Sequence, residues 1–112
     1  RAARVSAALI SGIGSLSHAR LAWYDSSTMK YEQEDIEGSL EVASLSGNYV
    51  TPEEGSMPLH LHAVIGTKEK TWTGHLLEGT VSLNFEIVAV EIAGISISRY
   101  RDERSGINII RE

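Results

Sequence analysis

Three histidines, His60, His62 and His75, fall within one short segment, and their spacing is the feature of this chain that implies chemistry. Two residues apart on a strand, His60 and His62 project from one face, while Leu59, Leu61, Ala63 and Ile65 turn to the other. Gly66-Thr-Lys-Glu-Lys70 reads as a turn and Thr71–Leu77 as the returning strand of a hairpin. A register that sets His75 opposite His60 or His62 gathers three imidazoles on one face, whereas a slip of one residue turns His75 away. A bulge at Gly74 would restore the alignment. Three neutral imidazoles leave the fourth position of a tetrahedral zinc open, the pattern of catalytic rather than closed structural sites. Zinc is the expected ion for a nitrogen-rich site, with nickel and iron also compatible. The alternative is a half-buried sheet face on which these histidines hydrogen-bond their neighbours.

Further residues could complete such a site. Glu86 could orient a ligand histidine through its free ring N–H or act as a general base, and Glu41 is a second candidate for the same work. Arg99, on a strand after Ile97 and Ser98, could hold a substrate carboxylate in a bidentate fork. Against these stand plainer roles: solvated or cross-strand paired glutamates, and an arginine in an ion pair. His18 is expected to lie far from the cluster and to face solvent. Trp23 and Trp72 are expected to pack a core or an interface.

What must position these residues is a small domain. The 112 residues carry 10 Lys plus Arg against 15 Asp plus Glu, for a formal charge of −5. An acidic surface of this kind does not attract polyphosphate, so direct DNA binding is not expected. No cysteine is present, which excludes disulfides and thiolate ligands and fits a reducing cytoplasm. The longest apolar stretch, Phe85–Gly94, is interrupted by Glu86 and Glu91 and falls far short of the roughly 20 apolar residues that span a bilayer. A soluble protein, with no membrane partner, is expected.

Strand signals dominate the rest. Val5–Ser11 enters a small-residue turn, Ser11-Gly-Ile-Gly-Ser15, and His18–Tyr24 alternates before Asp25-Ser-Ser27 turns the chain into Thr28–Tyr31. Ser39–Leu45 is a further strand ending at Ser46-Gly47, and Thr51–Pro58, punctuated by both prolines, is a loop. Gly79 opens a long strand over Val81–Ile92, and Ile95–Tyr100 with Ile107–Ile110 forms a last hairpin. Seven or eight strands with almost no helical periodicity predict a mainly antiparallel sheet. Arg1–Arg4 reads as the last turn of a helix.

Several of these stretches together resemble the plants and prokaryotes conserved domain, the PPC domain, found in plant AT-hook proteins and in stand-alone prokaryotic proteins. The matching pieces are Ile10–Leu16, Gly38–Gly47, Leu59-His-Leu-His62, Gly74-His-Leu-Leu-Glu-Gly79 and Phe85-Glu86, in family order. Gly38-Ser-Leu-Glu-Val-Ala43 keeps the glycine and Glu41 of the plant motif Gly-Arg-Phe-Glu-Ile-Leu, but neither its arginine nor its aromatic. The resemblance implies a single α+β domain over residues 1–112. It implies about seven antiparallel strands, few short helices and assembly into homotrimers. It also implies a first strand and most of a first helix that this sequence does not carry. Prokaryotic members are labelled predicted DNA-binding proteins, but the AT-hook lies outside the domain and no Arg-Gly-Arg-Pro-like hook stands here. The fold is also similar to that of acetolactate decarboxylase, whose zinc is held by a His-x-His pair and a later histidine, as His60, His62 and His75 could do.

Three readings result. One is a trimeric metal-binding module that recognises a small ligand or a protein partner. The second is a zinc-dependent enzyme acting on a small carbonyl or carboxylate compound, and the third, from the family label alone, a DNA-binding regulator.

Overall fold

Alternation of apolar and polar residues carries most of the chain into extended structure. The computed structural model describes residues 5–112 and forms six strands among them. They are β1 (Ala7–Asp25), β2 (Lys30–Val50), β3 (Leu59–Gly66), β4 (Thr71–Glu91), β5 (Ser98–Arg101) and β6 (Asn108–Arg111). All strand pairs are antiparallel. β1 to β4 close into a barrel in sequence order, and β5 and β6 make a separate two-stranded sheet. The molecule is a slab of 42 × 41 × 18 Å.

Two expectations are corrected. No helix forms among the described residues, so the architecture is nearly all β rather than α+β. The expected helix remnant, Arg1–Arg4, lies outside the described residues. The strands are also fewer and longer than predicted, because several glycines taken for turns sit within strands. Gly12 and Gly14 stay in β1, with a register shift between them on the β2 side. Gly47 stays in β2 and Gly79 in β4. Gly14 answers to crowding rather than to turning: a Cβ there would lie 2.5 Å from the Asn84 carbonyl oxygen and 2.6 Å from the Phe85 Cα. The predicted turn at Asp25–Ser27 is present, closing the β1–β2 hairpin with Asp25 opposite Lys30. The Asp25 carboxylate accepts from the Ser27 amide at 2.9 Å and its hydroxyl at 2.6 Å.

The core lies inside the barrel. Leu16, Ala19, Leu21, Ile36, Leu40, Val42, Leu45, Ala63 and Ile65 are buried together, with Trp23, Leu61, Trp72, Leu76 and Phe85 packed against them. Each fully buried leucine or isoleucine contributes roughly 1.5–3 kcal/mol. Barrel closure depends on a short contact, since β3 pairs with β4 only over Thr71–His75. Beyond Leu76, β4 is paired on its β1 side alone.

The β5–β6 hairpin is fastened at both ends. Backbone bonds join Arg99 N to Thr51 O and Glu53 N to Arg99 O, both at 2.8 Å. At its turn, the Tyr24 hydroxyl donates to the Ser105 carbonyl at 2.7 Å. No helix among the described residues is long and apolar enough to cross a membrane.

Candidate metal centre

The register on which the histidines depend is settled by the β3–β4 hairpin. His62 pairs directly with His75, and Ile65 with Trp72, with no irregularity along the ladder. Partners opposite each other share a face, so Ala63, Ile65, Gly74 and Trp72 turn inward while His60, His62 and His75 turn outward. The turn that fixes this register is tied by Thr67, whose amide donates to Lys70 O at 2.8 Å and whose hydroxyl oxygen accepts the Glu69 and Lys70 amides at 3.2 Å.

Gly74 makes no bulge in the β3–β4 ladder. Its missing side chain leaves room for Trp23, whose indole nitrogen lies 3.0 Å from where a Cβ would be. That indole N–H donates to the Thr73 carbonyl at 2.6 Å, pinning the strand beside His75. Gly47 admits β3 in the same way: a Cβ there would fall 1.9 Å from the His60 carbonyl oxygen.

The three imidazoles form one group. Their ligand nitrogens all lie within 4.8 Å of one another, and their ring centroids are separated by 5.1 Å (His60–His62), 5.2 Å (His60–His75) and 4.3 Å (His62–His75). His62 is exposed, and the other two are half-buried. The His60 pKa is pushed below its ordinary value by burial, then by the neighbouring His62 and by Arg99. Burial lowers that of His75 too, followed by His62 and His60. Both rings are thus held in the neutral form that binds metal. The donor set fits a metal on a further observation: His60 Nε2 is buried and has no hydrogen-bond partner. A buried ring nitrogen without a partner is an unmet requirement, and in the tautomer that leaves it unprotonated a ligated cation would meet it.

Of the other predicted residues, the structure brings one to the triad. Arg99 donates a hydrogen bond to Asn48 Oδ1, and Asn48 is the cross-strand partner of His60. Glu41 pairs instead with Gly66, four residues along β3 from His62, where it lines a groove of about 740 Å³ with Val64, Lys68 and Thr71. Glu86 pairs with Ile13, eleven residues along β4 from His75, or about 36 Å of strand path. Within the chain, neither glutamate stands beside the histidines. His18 does not face solvent freely: its Nε2 lies 2.8 Å from Asp35 Oδ1, in a network continued by Arg20 and Glu78. Trp23 and Trp72 pack against the core as expected.

Sequence reasoning missed Tyr31 and Asn48. Tyr31 presents its ring to His75 edge-on at 5.4 Å and meets Tyr24 at 5.1 Å. The pairing of Tyr24 with Tyr31 across the β1–β2 hairpin places them there. Alternation around the expected Asp25 turn carried that signal. Asn48 could not have been found, because nothing local ties it to an arginine in another sheet.

The Plants and Prokaryotes Conserved (PCC) domain model matches residues 1–93, a range that contains the whole triad. The chain belongs to this family. Among solved structures, a PPC protein of Pyrococcus horikoshii is 30% identical, with a TM-score of 0.84 over 96% of this chain and 74% of that one. A metal-containing protein of Archaeoglobus fulgidus is 29% identical, with a TM-score of 0.83 over 96% of this chain and 76% of its own. A third, described as a putative DNA-binding protein of Bacteroides thetaiotaomicron, is 27% identical, with a TM-score of 0.83 over 96% and 74% of the two chains. No curated protein matches. As a PPC domain, the chain keeps the antiparallel architecture its sequence implied.

Proposed function

We propose that this PPC domain is a metal-binding module in which His60, His62 and His75 hold one zinc ion, and that it works as a homotrimer recognising a small ligand or a protein partner. The carrying observation is the buried, unpartnered Nε2 of His60 within a group of three imidazoles. The metal-containing relative from Archaeoglobus fulgidus supports the same reading. A cytoplasmic setting belongs to it, supported by a sequence that uses no cysteine.

The trimer is supported by the far half of β4. Leu83 is 91% exposed, and Val81, Ile87, Val88 and Val90 are each more than half exposed on an otherwise ordered strand. Exposed apolar side chains along a strand with an open edge make a surface that a second copy covers.

A zinc-dependent enzyme, similar to acetolactate decarboxylase and acting on a small carbonyl or carboxylate compound, is the second reading. It is favoured by the fourth position that three histidines leave on zinc and by Arg99 close at hand. Zinc bound there would polarise a carbonyl oxygen or lower the pKa of a bound water to about 7. The module stands ahead of the enzyme because neither glutamate reaches the triad to serve as acid or base. A DNA-binding regulator stands third, since a formal charge of −5 opposes it.

The test is metal content by plasma mass spectrometry on protein purified without a histidine tag. About one zinc per chain in the wild type, lost in His62→Ala, is the expected result. A wild type that stays empty when zinc is supplied overturns the reading.

A further inference from the structure

Resting on the metal reading above, we propose that the histidine site takes a small carboxylate, bound between the metal and the guanidinium of Arg99. Arg99 is 1% exposed and is the largest fully buried side chain among the described residues. Ion pairs among these residues join His18 to Asp35 and Arg20 to Asp35 and Glu78, and none reaches Arg99. One terminal nitrogen donates to Asn48, a neutral acceptor, while the Nε–H is buried without any acceptor. Burying a charge without a counter-charge costs several kcal/mol. The backbone prevents an escape to solvent, because both the amide and the carbonyl of Arg99 are bonded to the loop after β2.

The position of this unmet charge selects the ligand. Asn48 lies across the ladder from His60, whose Nε2 is the other buried atom on this face without a partner. One corner of the molecule therefore holds an unpartnered ring nitrogen able to ligate a metal and a cationic donor suited to an anion. A carboxylate would answer both, since a metal held by the histidines would supply one positive partner and the planar guanidinium fork of Arg99 the other. Phosphate sites gather several N–H donors or a helix N-terminus. Here one guanidinium is linked to the triad, through Asn48 opposite His60, and no helix forms among the described residues. Tyr31, edge-on to His75, sets an aromatic ring beside the triad.

Calorimetric titration of zinc-loaded protein with acetate, pyruvate and inorganic phosphate, in a buffer free of carboxylates, tests this. Saturable binding of a carboxylate, at least about tenfold tighter than phosphate, is expected. Asn48→Asp sets a counter-charge on Arg99 from within. It should weaken carboxylate binding by about tenfold or more at unchanged zinc content, and raise the Tm. An arginine with a purely structural role would gain the Tm alone. Arg99→Met should lose the same affinity, and Asn48→Asp keeps the question open to decision if that variant does not fold. Zinc-loaded wild type indifferent to both carboxylates overturns the proposal, including the case in which a neighbouring copy's carboxylate already fills the site. Tighter binding of phosphate, or unchanged affinity in Asn48→Asp, also overturns it. If no zinc is taken up, the metal reading fails on its own and the apo protein is titrated. Carboxylate binding sensitive to Asn48→Asp would then keep the Arg99 site, and none would end both.

Discussion

The two halves of β4 are one continuous strand with opposite relations to solvent. Over Thr71–His75 the strand is paired with β3, turns Trp72 and Gly74 toward the core and sets His75 outward beside His62. Past Glu78 it keeps only its β1 neighbour, and its large apolar residues, Leu83 and Ile87 among them, stay exposed. Strand pairing alone therefore does not decide what a segment of this fold is for. A second layer behind the first half frees the outer face to carry polar chemistry. In the second half Phe85 still packs against the core, but the exposed apolar residues on either side of it call for cover from outside. The histidine group and the exposed apolar residues thus lie on separate lengths of one strand, and the proposed metal and trimer should each be removable without the other.

The largest expected effect breaks the first half. His62→Ala should reduce bound zinc from about one ion per chain to none, because two remaining imidazoles make an incomplete set. Elemental analysis reads this directly, and retention of a full ion would remove His62 from the ligands. Next comes the second half. If the proposed trimer forms through this surface, Leu83→Asp should convert it to monomers, since a charge in an apolar interface costs several kcal/mol per chain. Sedimentation velocity measures the mass. Zinc content should stay at the wild-type level, and simultaneous loss of metal would show that the two halves are coupled after all.

Acid should act on the first half alone. Burial holds His60 and His75 below the ordinary histidine value, so the apo fold loses stability as pH falls below about 6.5, where the unfolded chain takes up protons first. Protons also compete with the metal for the ring nitrogens of His60 and His75, so zinc affinity should fall over the same range. Dialysis at stepped pH should show zinc release on acidification while the sedimentation coefficient holds. Release that begins only well below pH 4 would point to carboxylate rather than imidazole ligands.

Much of this was legible in the sequence, and the reasons differ by region. Period-two alternation placed His60 and His62 on one face and Ala63 and Ile65 on the other, which the core confirms. The register was not legible, because Gly66–Lys70 allows more than one pairing, and the one formed is tied by the Thr67 hydrogen bonds. Glycine misled the count of strands. A glycine that relieves crowding, as Gly14 does against Phe85, looks in sequence like one that turns the chain. The placement of Arg99 near His60 was also out of reach, since a hairpin docked through backbone bonds to Thr51 and Glu53 leaves no side-chain pattern to read. Glu86 and Glu41 were sound residue types at the wrong distance. Chemistry can be inferred from composition along a strand, but proximity across strands cannot.

A glycine substitution sharpens the comparison from the side of β2. Gly47→Ala would drive a methyl group to 1.9 Å from the backbone of His60. Backbone cannot move aside as a side-chain tip does, so β2 and β3 must part, at a cost of about 1–3 kcal/mol. Thermal denaturation should show the lowered Tm, and zinc affinity should fall with it because His60 rides on the displaced segment. Gly55→Ala, at a position with open space but a positive φ of 79°, serves as the control. It strains the loop by about 1 kcal/mol without moving β3, and should leave zinc binding intact.

The smallest effect concerns Trp23, which joins the core to the metal face. Its indole ring packs against the buried cluster while its N–H holds the Thr73 carbonyl at 2.6 Å. Trp23→Phe keeps an aromatic ring in place but removes the donor, leaving that carbonyl short of a partner. A loss of about 1 kcal/mol in denaturant unfolding is expected. The site should register it differently. Thr73 is two residues before His75, so slackening its anchor widens the motion of one ligand and should raise the zinc dissociation rate more than it lowers stability. Equal stability with faster zinc loss would identify Trp23 as a positioning residue for the metal, whereas equal rates would confine it to the core.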